Sequence, residues 1–206
     1  MRPILFLLVL LLGAGAVATA QKKSKKDYLV TIETSQGTMR LVLFEDTPRH
    51  RENFLKLVKK KFYDGTTFHR VINDFMIQGG DPNSKDSDPN NDGAGNPGYT
   101  LPAEILPHHQ HVYGALAAAR LGDAMNPRKE SSGSQFYLVE NHEGVPFLNN
   151  QYTVYGQVID GLAVIDKIAE VQKDYRDRPT ADVKMTVTAR KMKKKKITKT
   201  YGYRYQ

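Results

Sequence analysis

Eight short runs of alternating apolar and polar residues leave this 206-residue chain few choices of fold; they lie near residues 28–34, 38–44, 67–72, 75–79, 112–119, 134–139, 153–159 and 182–189. Alternation with period two marks a strand that buries one face. Helical spacing occurs in two places. Thr47 followed by Pro48 reads as an N-cap hydroxyl and a proline at the first helical position. Phe54, Leu57 and Val58 then form an apolar stripe, Lys59, Lys60 and Lys61 suit the C-terminal end, and Asp64-Gly65 stops the helix. Gly161 to Val171 is the second, with Val164, Ile165 and Ile168 on one side. This content predicts a mainly β fold: a closed eight-stranded antiparallel β-barrel capped by two α-helices, which leaves no strand edge exposed.

The formal charge of +8 invites a nucleic-acid reading until it is divided along the chain. Residues 27–183 hold all 22 acidic residues and 16 of the 30 basic ones, a net of −6. A body of that sign lacks the basic stripe that nucleic acid requires, so none is expected as a partner. Residues 1–20 read as a secretory signal: Arg2, an apolar core from Ile4 to Leu12, and Ala18-Thr19-Ala20 as the cleavage site. Cleavage after Ala20 predicts an exported, periplasmic protein. Residues 21–27 form a basic linker, 28–190 the folded domain, and 191–206 a basic, Tyr-containing tail. The tail reads as a solvated segment; weak contact with an anionic surface is its second reading. The absence of Cys removes disulfides and thiolate chemistry.

The run FHRVINDFMIQGGD, Phe68 to Asp81, reads as a hairpin turning at Asn73-Asp74. Plain alternation places Phe68, Arg70 and Ile72 on one face and His69 and Val71 on the other, with Met76 and Gln78 sharing a face on the second strand. Far along the chain, GSQFYLV aligns Gln135, Tyr137 and Val139 on one side and Phe136 and Leu138 on the other. With FYDGTTFHRVI, FMIQGGD, GSQFYL and the spacing between them, the chain from about Tyr28 to Val187 resembles the cyclophilin family of peptidyl-prolyl cis/trans isomerases, in its bacterial exported branch.

That resemblance implies an Arg/amide site in an apolar groove. Arg70 matches the family's catalytic arginine and Gln78 the amide that orients it. Phe75, Met76, Tyr137 and Leu148 match the wall of the proline pocket, and Ala119, Gln135, Phe147 and Tyr152 the groove along the peptide. The implied partners are proline-containing unfolded or flexible polypeptides, handled by a monomer that assists the folding of exported proteins. A groove that captures clients with little turnover is the competing reading. The chain departs from the family where Tyr137 replaces a frequent Phe, Phe147 a Trp, Tyr152 a His and Arg120 an Asn; the segment from Arg120 to Ser132 is also longer. Bond rotation needs no nucleophile, so no cofactor and no metal are expected. Asp88-x-Asn90-x-Asp92-Gly93 imitates half a calcium loop but puts Tyr99 where a bidentate Glu is required. His108, His109 and His111 read as an incidental loop trio.

Overall fold

The computed structural model describes residues 24–205, so the expected signal segment lies outside the described residues. In chain order the elements are β1 (Lys26–Thr34), β2 (Gly37–Leu43), α1 (Pro48–Lys59), β3 (Phe68–Ile72), β4 (Met76–Gly79), β5 (Thr100–Leu101), β6 (Ala115–Ala118), β7 (Ser131–Ser132), β8 (Phe136–Val139), β9 (Val154–Asp160), α2 (Ala163–Ala169), β10 (Met185–Lys193) and α3 (Lys194–Tyr201). All eight expected strands are present, and they form one antiparallel sheet in the order β10-β1-β2-β9-β6-β8-β4-β3. The short β5 and β7 pair separately.

The sheet curves but is not closed by a continuous ladder, which corrects the closed barrel. Its edges β10 and β3 meet at one bridge, Thr67 with Lys184, flanked by Phe68 N–H to Val183 O at 3.0 Å and Met185 N–H to Thr66 O at 2.8 Å. Beyond that point β10 pairs with β1 along nine residues, and the outer edge of β3 is taken by a loop instead, with Val71 N–H donating to Asp177 O at 2.8 Å. The seam is therefore short.

A fully buried cluster fills the concave side, with Phe54, Tyr63, Phe68, Ile77, Phe136 and Leu138 among its members. Helices α1 and α2 cover it through Phe54, Leu57 and Val58 and through Val164, Ile165 and Ile168. Thr47 does not cap α1 with its side chain; its hydroxyl donates to Phe44 O at 3.3 Å. The acceptor comes from 55 residues away. Glu104 takes the Arg49 N–H at 3.0 Å and the His50 N–H at 2.9 Å, and pairs with His50 Nδ1 at 2.6 Å. A carboxylate there satisfies orphan donors and complements the positive end of the helix dipole. Glu104→Ala is expected to cost about 1–3 kcal/mol, since two backbone donors and a buried His lose their acceptor. Urea denaturation measures this, and an unchanged midpoint would refute the assignment.

A second correction concerns the C-terminus. Strand β10 runs on to Lys193, and α3 follows it, so the described residues hold three α-helices and the basic tail is folded onto the body. Ile197 is fully buried against Leu29, Val42 and Met192, with Tyr201, Tyr203 and Tyr205 packed around them. Gly202 ends the helix at φ 73°, the left-handed conformation that a residue without Cβ adopts most easily. The expected linker is also partly strand, because β1 begins at Lys26.

Candidate active site

Two neighbouring strands carry the hairpin residues, but plain alternation fails between Phe68 and Arg70. The register pairs Phe68 with Gly79 and Arg70 with Gln78, so His69 is an extra residue in a bulge. The bulge breaks the two-residue period. Phe68 and Val71 both point into the core, whereas Arg70 is exposed on the opposite side. This corrects the expectation that Phe68 and Arg70 share a face. From Arg70 onward the alternation holds.

On that outer face the register aligns Arg70 with Gln78 on β4, Gln78 with Tyr137 on β8, and Tyr137 with Ala117 on β6. Four strands thus present one cross-strand row. Beside it lies a second apolar cluster built from Met76, Ala117, Tyr137, Val139, Val145 and Val154, with Phe75, Ala119, Leu148 and Tyr152 packed partly buried around it. The ring of Phe147 is 71% exposed and stacks against Phe75 with centroids 6.0 Å apart. Phe75, Met76, Tyr137 and Leu148 therefore pack into one apolar cluster, with the exposed Phe147 ring against its edge.

The polar groups are held in series. Asp81, fully buried at the end of the hairpin, accepts from the backbone N–H groups of Asn83 at 2.8 Å, Gly95 at 3.2 Å and Gly93. It reaches them because Gly80 (φ 84°) turns where a Cβ would sit 2.6 Å from Ser134 O. The carbonyls of Gly93 and Gly95 then accept the Gln135 amide at 2.9 and 2.7 Å. Gln135 in turn accepts the Gln78 amide at 2.9 Å. Both amides are fixed before any ligand arrives. Among the described residues the Arg70 guanidinium has one long contact, with Asp177 at 4.0 Å, and it is 44% exposed.

Sequence reasoning overlooked what lies under Tyr137. Its hydroxyl meets His111 Nε2 at 2.9 Å, and His111 donates from Nδ1 to Asn149 Oδ1 at 3.0 Å and from its backbone N–H at 2.9 Å. Burial holds the Tyr137 hydroxyl well above the ordinary phenol value, so it is a neutral donor, and burial depresses the His111 imidazole, so Nε2 is a free acceptor. The signal was available: a hydroxyl at a buried position needs a partner. At Tyr152, which packs against the same cluster, the Arg120 guanidinium lies 4.3 Å over the ring and donates to Gln151 O at 3.1 Å.

His50 and His69 are buried as well, and desolvation lowers both, against the raising effect of nearby carboxylates. Three imidazoles are thus kept neutral by the fold but take up a proton near pH 6.5 in the unfolded chain. Where the unfolded state binds more protons, stability rises with pH. Stability is therefore expected to be flat above about pH 7 and to fall as pH drops through about 6.5 toward the depressed values. Denaturant midpoints at a series of pH values test this; a midpoint that rises on acidification over that range would contradict it.

Comparison with known proteins agrees with this architecture. The profile of the cyclophilin type peptidyl-prolyl cis-trans isomerase/CLD family matches residues 29–190. A Staphylococcus haemolyticus protein named for peptidyl-prolyl cis-trans isomerase activity is 35% identical over 181 residues, covering 75% of this chain and 86% of that one. A solved Cryptosporidium parvum cyclophilin type isomerase superposes with a TM-score of 0.70 at 27% identity, covering 80% of this chain and 98% of its own. The same C. parvum protein in the presence of the dipeptide Ala-Pro gives 0.68 at 27% identity, covering 79% and 98%. With a bulged hairpin that sets an arginine beside a glutamine, an apolar cluster on the neighbouring strands, and a family profile spanning most of the chain, this protein belongs to the cyclophilin-type peptidyl-prolyl cis-trans isomerases.

Proposed function

We propose that the apolar cluster beside Arg70 holds the proline of an Xaa-Pro segment and that Arg70 stabilises the twisted amide between its two planar forms. Resonance makes rotation cost about 18–20 kcal/mol, and uncatalysed exchange takes tens to hundreds of seconds. Only interactions stronger in the twisted form lower that barrier. Twisting returns the lone pair to the prolyl nitrogen, and a fixed guanidinium beside it then gains a hydrogen bond that neither planar form offers. Arg stays protonated at any ordinary pH and carries several donors in one plane.

The observation that carries this reading is the row of Arg70, Gln78 and Tyr137 beside the cluster of Met76, Phe75 and Leu148. Gln78 and Gln135, locked to each other and to Gly93 and Gly95, grip the backbone that precedes proline. Ala119, Phe147 and Tyr152 extend the contact along the peptide. The substrates are flexible proline-containing polypeptides, a reading supported by the dipeptide used with the C. parvum neighbour. Export, and with it a role in folding exported proteins in the periplasm, rests on the sequence of residues 1–20.

Isomerisation of a proline-containing tetrapeptide, followed by chymotrypsin coupling or exchange NMR, tests the proposal. The protein is expected to accelerate exchange in buffer alone. The rate stays flat from about pH 7 to 9, because no group at the site has to gain or lose a proton. Protection of unfolded clients without any acceleration would establish a binder instead.

A further inference from the structure

The histidine trio of the 105–112 loop is split by the fold. His111 turns inward to Tyr137, whereas His108 and His109 converge on a carboxylate contributed 62 residues earlier, between β2 and α1. His108 Nε2 meets Asp46 Oδ2 at 2.7 Å, and His109 Nε2 meets Asp46 Oδ1 at 2.7 Å. One nitrogen from each ring and a carboxylate oxygen all lie within 4.8 Å of one another. We propose that Asp46, His108 and His109 form a binding site for a divalent transition-metal ion of the zinc type, separate from the peptide groove.

Several observations favour a metal over a mere surface hydrogen-bond cluster. The two imidazoles lie 4.3 Å apart and both present Nε2 to the same carboxylate, so three donor groups already converge on one point. His109 is held in place: its ring stacks on Phe44 at 4.0 Å and 19°, and its side chain is only 11% exposed. His108 and Asp46 are 54% and 48% exposed, which leaves an entry path. A cleft of about 870 Å³ opens onto the three residues and is also lined by Asp27, Glu45 and Glu52. That provides room for a water in the remaining coordination position.

The donor set selects the ion. Two imidazoles and one carboxylate suit Zn²⁺ and its neighbours, whereas Mg²⁺ and Ca²⁺ prefer oxygen-only shells. Zn–N and Zn–O bonds of about 2.0–2.2 Å place neighbouring tetrahedral donors roughly 3.3 Å apart. The 2.7 Å hydrogen bonds thus widen by about half an ångström when the metal replaces them. Each ring donates from Nε2 to Asp46 without the metal; on binding, that proton moves to Nδ1, which leaves Nε2 free to coordinate. The ion would tie the 105–112 loop to the start of α1, two residues from the His111 that supports Tyr137.

The test uses untagged protein stripped with a chelator and dialysed. Calorimetric titration with Zn²⁺ is expected to show one saturable site, and Co²⁺ to give the intense visible bands of a four-coordinate centre. Asp46→Asn and His109→Ala should each weaken Zn²⁺ binding by about tenfold or more. His108→Ala, which removes an exposed side chain and spares the fold, should do the same. Zn²⁺ should raise the melting temperature of the wild type and raise that of the His108→Ala variant by clearly less at the same concentration. Absence of saturable binding by the wild type, or binding of wild-type strength by the Asp46→Asn/His108→Ala double variant, would overturn the site.

Discussion

Arg70→Ala is expected to slow Xaa-Pro isomerisation by about 10²- to 10³-fold, a loss of about 2.7–4 kcal/mol of barrier lowering, the scale of removing one preorganised donor. Stability should barely change, because the Arg70 side chain is 44% exposed and its one ion-pair contact among the described residues is 4.0 Å long. The two readouts together separate a catalytic role from a structural one. Arg70→Lys sharpens the test: it keeps the charge but loses the planar fork, so most of the rate should still be lost. Chymotrypsin-coupled kinetics at saturating and limiting peptide would resolve kcat from KM, and the loss should fall on kcat. A variant that turns over like the wild type would refute the assignment of Arg70 to the twisted amide.

Ile197→Ala is expected to remove about 2–5 kcal/mol from the docking of α3, the usual range for emptying a fully buried aliphatic site. Without that anchor the Tyr201, Tyr203 and Tyr205 rings lose the surface they pack on, and the helix cannot persist alone at eight residues. The change is local. Trypsin should then cut rapidly at the exposed Lys195 and Lys196, while isomerase activity survives, since the cluster beside Arg70 shares no residue with the one that holds α3. Unaltered cleavage would show that the body does not need Ile197 to hold the tail.

Much of this fold could be read in the sequence because strand alternation is a local signal. Every expected strand exists, with ends displaced by a few residues, and the split of Tyr137 and Val139 from Phe136 and Leu138 came through intact. What stayed hidden depended on distance or on broken period. The bulge at His69 reversed the side of Phe68, since one inserted residue inverts all parity before it. Thr47 looked like a cap, but Glu104 competes better as a full carboxylate aimed at two backbone donors, and no local pattern reports a partner 55 residues off. The lysine-rich tail looked solvated because one Ile among charges carries almost no periodicity, even where it fills a real cavity. At the candidate site, the residues that gather on one face from Arg70 onward were legible, whereas the ties that orient them, such as His111 with Tyr137, were not.

The short seam between β10 and β3 means that the two sides of the candidate site are held with different strength. Tyr137 and Ala117 sit on interior strands laced on both sides, so the sheet beneath the apolar cluster is stiff. Arg70 rides on β3, the last strand of the sheet, whose outer side has one bridge and a few loop hydrogen bonds. Elements with few backbone ties open at lower free energy than the interior ladder. On the reading proposed for Arg70, local opening of the molecule would therefore release the arginine side of the site before the apolar side.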